Sequence, residues 1–240
     1  RSYSVTGVQT CALPIFLAAL GPRQPYPILN VTGEHGSAKS GLQRVLQALV
    51  DPHDAGLRSL PRQEHDLVIA ARNSLVLGYD NLSVIRPSMS DALCRIATGG
   101  GFATRRLYTE AEEQIFKVHR PVMFNGITSV VGRSDLLDRC ITLRLPPILP
   151  AQRRDEHELR SKLERVHPRV LGALLDAVAA GLANRHRVQI PPPQRPRMMD
   201  VAVWITACES ALPWPEGGFL AAFNSRSEEH TSELQSPNTI

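Results

Sequence analysis

The chain has 240 residues, 42% of them apolar and 21% charged, and a formal net charge of +4. That length holds one α/β domain with a small satellite domain, and no run reaches the roughly 18 apolar residues that a membrane span needs. The small basic excess permits nucleic acid as a partner without arguing for it. Back-translating Arg226 to Ser236 with one suitable codon set, taking the reverse complement and shifting the frame returns Val5 to Ile15. Two ends of a natural protein have no reason to encode opposite strands of one oligonucleotide. Residues 1–15 and 225–240 are therefore read as translated sequencing adapter, outside any fold argument, and the chain as a fragment of a longer protein. The apolar N-terminal piece is accordingly no signal peptide. Between the ends, the pattern divides into an α/β core over 16–148 and a helical subdomain over 149–224.

In chain order, Ile28 to Thr32 is an apolar strand. Gly33, Glu34, His35, Gly36, Ser37, Ala38, Lys39 and Ser40 form a loop, and a helix runs from Leu42 to Val50. A loop follows to Pro61, and Gln63 to Asn73 is helical. Ser74 to Asp80 is a second apolar strand closing in a carboxylate. Met89 to Ala97 is a short helix stopped by Gly99 to Gly101. Phe102 to Thr109 reads as a strand or hairpin tip carrying Arg105 and Arg106. Pro121 to Phe124 is a third strand, ending at Asn125. A helical turn at Leu136 to Arg139 leads into a strand at Cys140 to Leu145. From Ala151 the period changes: Leu159, Leu163, Val166, Val170, Leu174 and Val178 recur at three or four, the spacing of an amphipathic helix. Pro168 is expected to split this stretch in two. A triple proline then leads to helices around Val201 to Leu212 and Gly218 to Phe223.

Strand, glycine-bearing loop and helix in that order make an anion site, because loop N–H groups and the positive helix end face one concavity. Lys39 is placed to reach the β and γ phosphates of a nucleotide and Ser40 to bind Mg²⁺. The usual pattern has glycine before the lysine. Ala38 stands there instead, and a methyl group at that point calls for a negative φ. Asp80, about 40 residues beyond Lys39, stands where a second Mg²⁺ ligand belongs. Asn81 follows it where many ATPases carry a glutamate; an amide can hold a water but cannot take its proton. Asp91 and Glu34 are the nearest acids in sequence. Cys94, Cys140 and Cys208 show no ligand spacing and read as small apolar residues in a reducing cytoplasm. The histidines are scattered, without a visible metal or catalytic partner.

These residues resemble two related groups. The run Gly-x-x-Gly-x-Ala-Lys-Ser is similar to the loop of some AAA+ ATPases. The segment Thr98 to Tyr108, lying between the Asp80 strand and the Asn125 strand, resembles superfamily III helicases, which have a Gly-Gly turn before a basic, aromatic-bearing hairpin. The short interval from Lys39 to Asp80 and the strand closing in Asn125 fit that group as well. The likeness covers Pro25 to Pro147 and extends to the tail through Pro196 to Asp200, Trp204 and Trp214 to Gly217.

The resemblance implies an α/β P-loop NTPase core of AAA+ type with a C-terminal helical subdomain, binding ATP and Mg²⁺ through Gly33, Gly36, Ser37, Ala38, Lys39, Ser40 and Asp80. It implies a homo-oligomeric ring in a replication protein of a phage, plasmid or integrated element, often joined to a primase. On that likeness Asn125 orients the attacking water or contacts the γ-phosphate. Arg139 is the arginine finger, with Arg133 as second choice, and Arg197 is a candidate second phosphate sensor. Arg105 and Arg106, with Phe102 and Tyr108, contact single-stranded DNA in the ring's channel. Two rival readings stand beside it: a remodelling or regulatory AAA+ ATPase acting on protein, for which Ala38 gives some support, and a nucleotide-gated module that does not turn over, for which Asn81 speaks.

Overall fold

The computed structural model describes residues 5–22, 25–53, 56–105, 113–127 and 131–224. A helix α1 (Val5–Leu20) precedes strand β1 (Ile28–Thr32), helix α2 (Lys39–Val50), helix α3 (Glu64–Asn73) and strand β2 (Leu77–Leu82). Helix α4 (Pro87–Thr98), the strands β3 (Gly101–Arg105) and β4 (Glu113–Lys117), and strand β5 (Val122–Gly126) come next. A short helix α5 (Ser134–Leu137) leads into β6 (Cys140–Arg144), and the helices α6 (Glu156–Asn184) and α7 (Met199–Cys208) follow. Residues 218–224 are again helical.

Four strands form one wholly parallel sheet in the order β2-β5-β1-β6, while β3 and β4 pair antiparallel on their own. Parallel strands joined through helices are buried on both faces, so they read as near-continuous apolar runs. Side chains alternate along each strand and divide the core in two. Leu29, Val31, Met123, Ile141 and Leu143 face one cluster, shared with α1, α2, α6 and α7. Ile28, Leu77, Tyr79, Val122 and Phe124 face the other, shared with α3, α4 and Phe102 of β3. The strand bearing Asn125 lies between the strand that feeds the glycine loop and the strand that bears Asp80. That order brings all three to one edge of the sheet.

Several expectations are corrected. The second strand does not stop at Asp80: β2 runs on to Leu82 through a register shift between Tyr79 and Leu82, with Asn81 at φ 56. Asparagine is among the few residues that tolerate that left-handed conformation. Pro168 does not split the long helix, because α6 is continuous over 29 residues with Pro168 inside it. The proline forfeits one backbone hydrogen bond to the carbonyl four residues back. Packing along the rest of the helix offsets that loss: Leu174, Ala177 and Gly181 are buried against neighbouring helices, and Asp155 caps the N-terminus by accepting from the N–H groups of His157 (2.9 Å) and Glu158 (3.2 Å). By length and composition alone α6 could cross a bilayer. Its buried stripe instead packs it against the other helices of this chain.

Strand β4 had no sequence signal of its own, since Glu113 to Lys117 carries only two apolar residues; its pairing with β3 defines it. Helix α1 crosses the boundary drawn at residue 15, and Ala12 and Ile15 are buried in the first core cluster beside Phe16 and Leu17. Trp204 of α7, itself buried, donates its indole N–H to the carbonyl of Leu17 at 2.7 Å and ties the two helices together.

In the tail, the buried Glu209 accepts from Trp214 Nε1 (3.0 Å) and from the backbone N–H groups of Gly217 (2.7 Å) and Phe219 (2.8 Å). A buried carboxylate needs such donors. The Trp214 to Gly217 signature therefore has a structural use, fixing the last helix to α7.

Candidate functional site

The loop closes on itself before it meets any ligand. At Gly33 (φ 153) a Cβ would stand 2.5 Å from the carbonyl oxygen of Leu145 and 2.8 Å from Ser37 Oγ, so only glycine fits. Ser37, buried, donates from Oγ to the carbonyl of Glu34 at 2.8 Å. Lys39 Nζ donates to the carbonyls of Gly33 and Glu34, both at 2.8 Å. The ammonium thus bridges the start of the loop from the first turn of α2. Ala38 takes φ 57 and ψ 30, left-handed, against the negative φ expected of it. Its neighbours on both sides are pinned by the bonds just named, and a single residue must turn the chain from the loop into the helix.

Asp80 is the hub where three elements meet. Ser40 Oγ, on the first turn of α2, donates to Asp80 Oδ1 at 2.6 Å. Asn125 Nδ2, from the end of β5, donates to the same oxygen at 2.6 Å and also to Gln43 Oε1 of α2. The side-chain oxygen of Asn125, Oδ1, accepts from the backbone N–H of Asn81 at 2.9 Å. Both amide hydrogens of Asn125 are therefore committed, while its oxygen keeps a second lone pair. Gln43 and Asn125 are fully buried. Sequence reasoning missed Gln43; the available signal was an amide one turn after Lys39, on the helix face that meets the sheet.

The other predicted residues fall into two groups. Arg139 lies at the N-terminal end of β6, where its carbonyl accepts from the N–H of Ile28 at 2.9 Å, so it sits at the edge of the sheet opposite the glycine loop. Its side chain, 17% exposed, donates to the carbonyl of Asp135 (2.6 Å) and to the Asp135 carboxylate. That hydrogen bond holds the Asp135 carboxyl below the ordinary carboxylate range.

Arg197 binds the same acid at 3.1 Å and Asp138 at 2.5 Å. A phosphate-sensing Arg197 would have to leave both; as it stands it fastens the helical part to the α5 turn. Arg133 pairs with Asp91 at 3.1 Å, which also occupies one of the two acids nearest the site in sequence. Arg105 ends β3 as a backbone position, while Arg106 and Tyr108 lie outside the described residues. Phe102 is buried, with the Arg95 guanidinium 4.6 Å from its ring centre, so it packs in the core and is no platform for a base.

Beside Asp80 a cavity of about 220 Å³ opens, lined among others by Ser59, Arg62, Asn81, Ser83 and Arg86. The Cys94 and Cys208 thiols are pushed up by burial, to about 11 and about 12, and stay protonated at neutral pH, as inert core residues do. Among the described residues no group of three or more His, Cys, Asp or Glu converges on a metal position.

Fold and site together define an α/β protein with the P-loop NTPase fold: a parallel sheet, a glycine loop between strand and helix, and a carboxylate strand one place removed. The chain belongs to the actinomycete integrative conjugative element replication protein family, whose sequence pattern matches residues 2–220. The expected setting, DNA replication of a mobile element, is met at that level. No curated protein sequence matches the chain. Among solved structures it is similar to the active helicase Cch of SCCmec type IV, at 13% identity and a TM-score of 0.48 over 95% of this chain and 47% of that one. It is also similar to JCV helicase, at 13% identity and a TM-score of 0.36 over 97% of this chain and 61% of the other. The chain thus spans about half to three fifths of the length of these solved structures.

Proposed function

We propose that this chain is an ATP-binding and ATP-hydrolysing AAA+ motor domain of the superfamily III helicase kind, acting in the cytoplasm as a homo-oligomeric ring on single-stranded DNA during element replication. The observation that carries this reading is the meeting of Ser40 Oγ, Asn125 Nδ2 and Asp80 Oδ1 at 2.6 Å beside a loop whose glycine cannot be replaced. A hydroxyl and a carboxylate oxygen so close together are hard oxygen donors of the kind Mg²⁺ takes. ATP, when bound, supplies the phosphoryl group that water attacks in line. Lys39 and the loop N–H groups neutralise phosphate charge, and Ser40 and Asp80 provide the metal's protein ligands. Asn125 fixes the Asp80 carboxylate and offers its free lone pair to a water. Charge stabilisation from a neighbouring subunit's arginine completes the set.

One observation favours a second reading, a nucleotide-gated module that does not turn over. Asn81 follows Asp80, and Asp91 is engaged by Arg133, so neither serves as a free general base.

Phosphate release measured with ATP and Mg²⁺, with and without single-stranded DNA, separates the two. The expected outcome is DNA-stimulated release that Lys39→Ala abolishes together with ATP binding. Binding without release in the wild type gives the module; equal release from wild type and Lys39→Ala overturns the site itself.

A further inference from the structure

The segment after β6 turns back across the glycine loop. The backbone N–H of Leu145 donates to the carbonyl of Thr32 at 2.8 Å, and the N–H of Ile148 donates to the carbonyl of Gly36 at 3.1 Å. Leu145 contributes the carbonyl that excludes any side chain at Gly33. A short 3₁₀ turn, Pro150–Gln152, then delivers Arg153. Arg153 Nη2 stands 3.6 Å from the point where a Cβ on Gly36 would be. Gly36 itself is left-handed, at φ 76. Beyond this point the chain is anchored again, by the Asp155 cap and by an ion pair of 3.1 Å between Arg44 of α2 and Glu156 of α6. Residues 145–156 thus form a strap held at both ends, with one guanidinium laid beside the loop.

We infer that Arg153 is a phosphate ligand of the nucleotide site, supplied in cis by the strap, and that Arg197 has no such role. The inference rests on the ATP reading proposed above. The two arginines have different surroundings. Arg197 is bound by two aspartates at the α5 turn. Arg153 reaches no carboxylate within ion-pair distance among the described residues, although Asp155 and Glu156 are close in sequence. Its neighbour Arg154 pairs with Glu158 at 3.5 Å. A guanidinium beside loop N–H groups adds a forked, permanently charged donor that suits phosphate oxygens. It also links occupancy of the loop to the start of α6, and so to the helical part of the protein.

Titration calorimetry of ATP·Mg²⁺ into the full chain tests this, using wild type, Arg153→Ala, Arg153→Lys, Arg154→Ala and Lys39→Ala. Arg153→Ala is expected to weaken ATP about tenfold, with the loss shrinking as salt is raised, as for a charge-assisted hydrogen bond to an exposed anion. Arg153→Lys should recover part of the loss, since charge is kept and the fork is not. Arg154→Ala should bind as wild type, and the unliganded melting temperature should not change in either alanine variant, because both side chains are exposed. Wild-type affinity in Arg153→Ala, with binding lost in Lys39→Ala, overturns the inference and leaves the ATP site standing. No ATP binding by the wild type overturns both.

Discussion

At the scale of single residues the loop holds a strain that can be relieved by one substitution. Ala38 sits at φ 57 and ψ 30 with its methyl group exposed, so replacing it with glycine removes no packing. An L-residue in the left-handed region costs about 1–2 kcal/mol. Glycine returns part of that gain through the greater entropy of its unfolded chain. Ala38→Gly is therefore expected to stabilise the protein by about 0.5–1 kcal/mol, read as a higher urea midpoint at unchanged m-value. A lower midpoint would mean that the methyl is supporting the loop. Lys39, Ser40 and Asp80 were legible because their chemistry fixes their order and spacing along the chain. The left-handed Ala38 was not, since a residue's φ follows from how its neighbours are tied, here by Lys39 and Ser37 to Glu34. Gln43 was not legible either: a helix glutamine usually faces water, and only the pairing of β5 beside β1 brings Asn125 to it.

At the scale of elements, strands with both faces buried were easy to find and their ends were not. The apolar stretches around Ile28, Leu77, Val122 and Ile141 gave the whole parallel sheet. Asp80 looked like a strand end because charge usually marks one, yet β2 continues to the buried Leu82. The continuity of α6 through Pro168 shows the same limit: local propensity sets a cost, and helix packing decides whether it is met.

Helix α1 bears on the adapter reading, because Val5 to Ile15 mirror the coding of Arg226 to Ser236 and yet Ala12 and Ile15 stand in the core. An apolar segment can bury itself whatever its origin. Ile15→Ala should then destabilise the chain by about 2–5 kcal/mol, as other buried isoleucine truncations do. Chemical denaturation of the purified chain measures it. A change within about 0.5 kcal/mol, the size of a neutral surface substitution, would show that the segment adds nothing to the native fold.

At the scale of the whole molecule, the proposed finger cannot serve its own subunit. Arg139 is at one edge of the sheet and the glycine loop at the other, separated by the length of β1, five residues or about 16 Å of strand. On the proposed ring reading, transition-state charge is met by a neighbour's Arg139, and turnover depends on assembly. Within the subunit Arg139 is held by Asp135, and Arg197 binds the same carboxylate, so Asp135 would keep a cationic partner if Arg139 were to swing outward. Leaving a paired acid behind is far less costly than stranding a bare one. An arginine acting in trans is worth about 10³-fold or more in turnover. On this reading, wild-type ATP hydrolysis per subunit rises with protein concentration through the assembly range. Arg139→Ala binds ATP normally but loses that rise, and Arg133→Ala, whose partner Asp91 is elsewhere, retains it. Mixing Arg139→Ala with Asp80→Ala restores part of the rate, because some mixed interfaces pair an intact finger with an intact metal site. Turnover independent of concentration, matched by Arg139→Ala and not raised on mixing, would mean that each subunit works alone and the ring is not the catalytic unit.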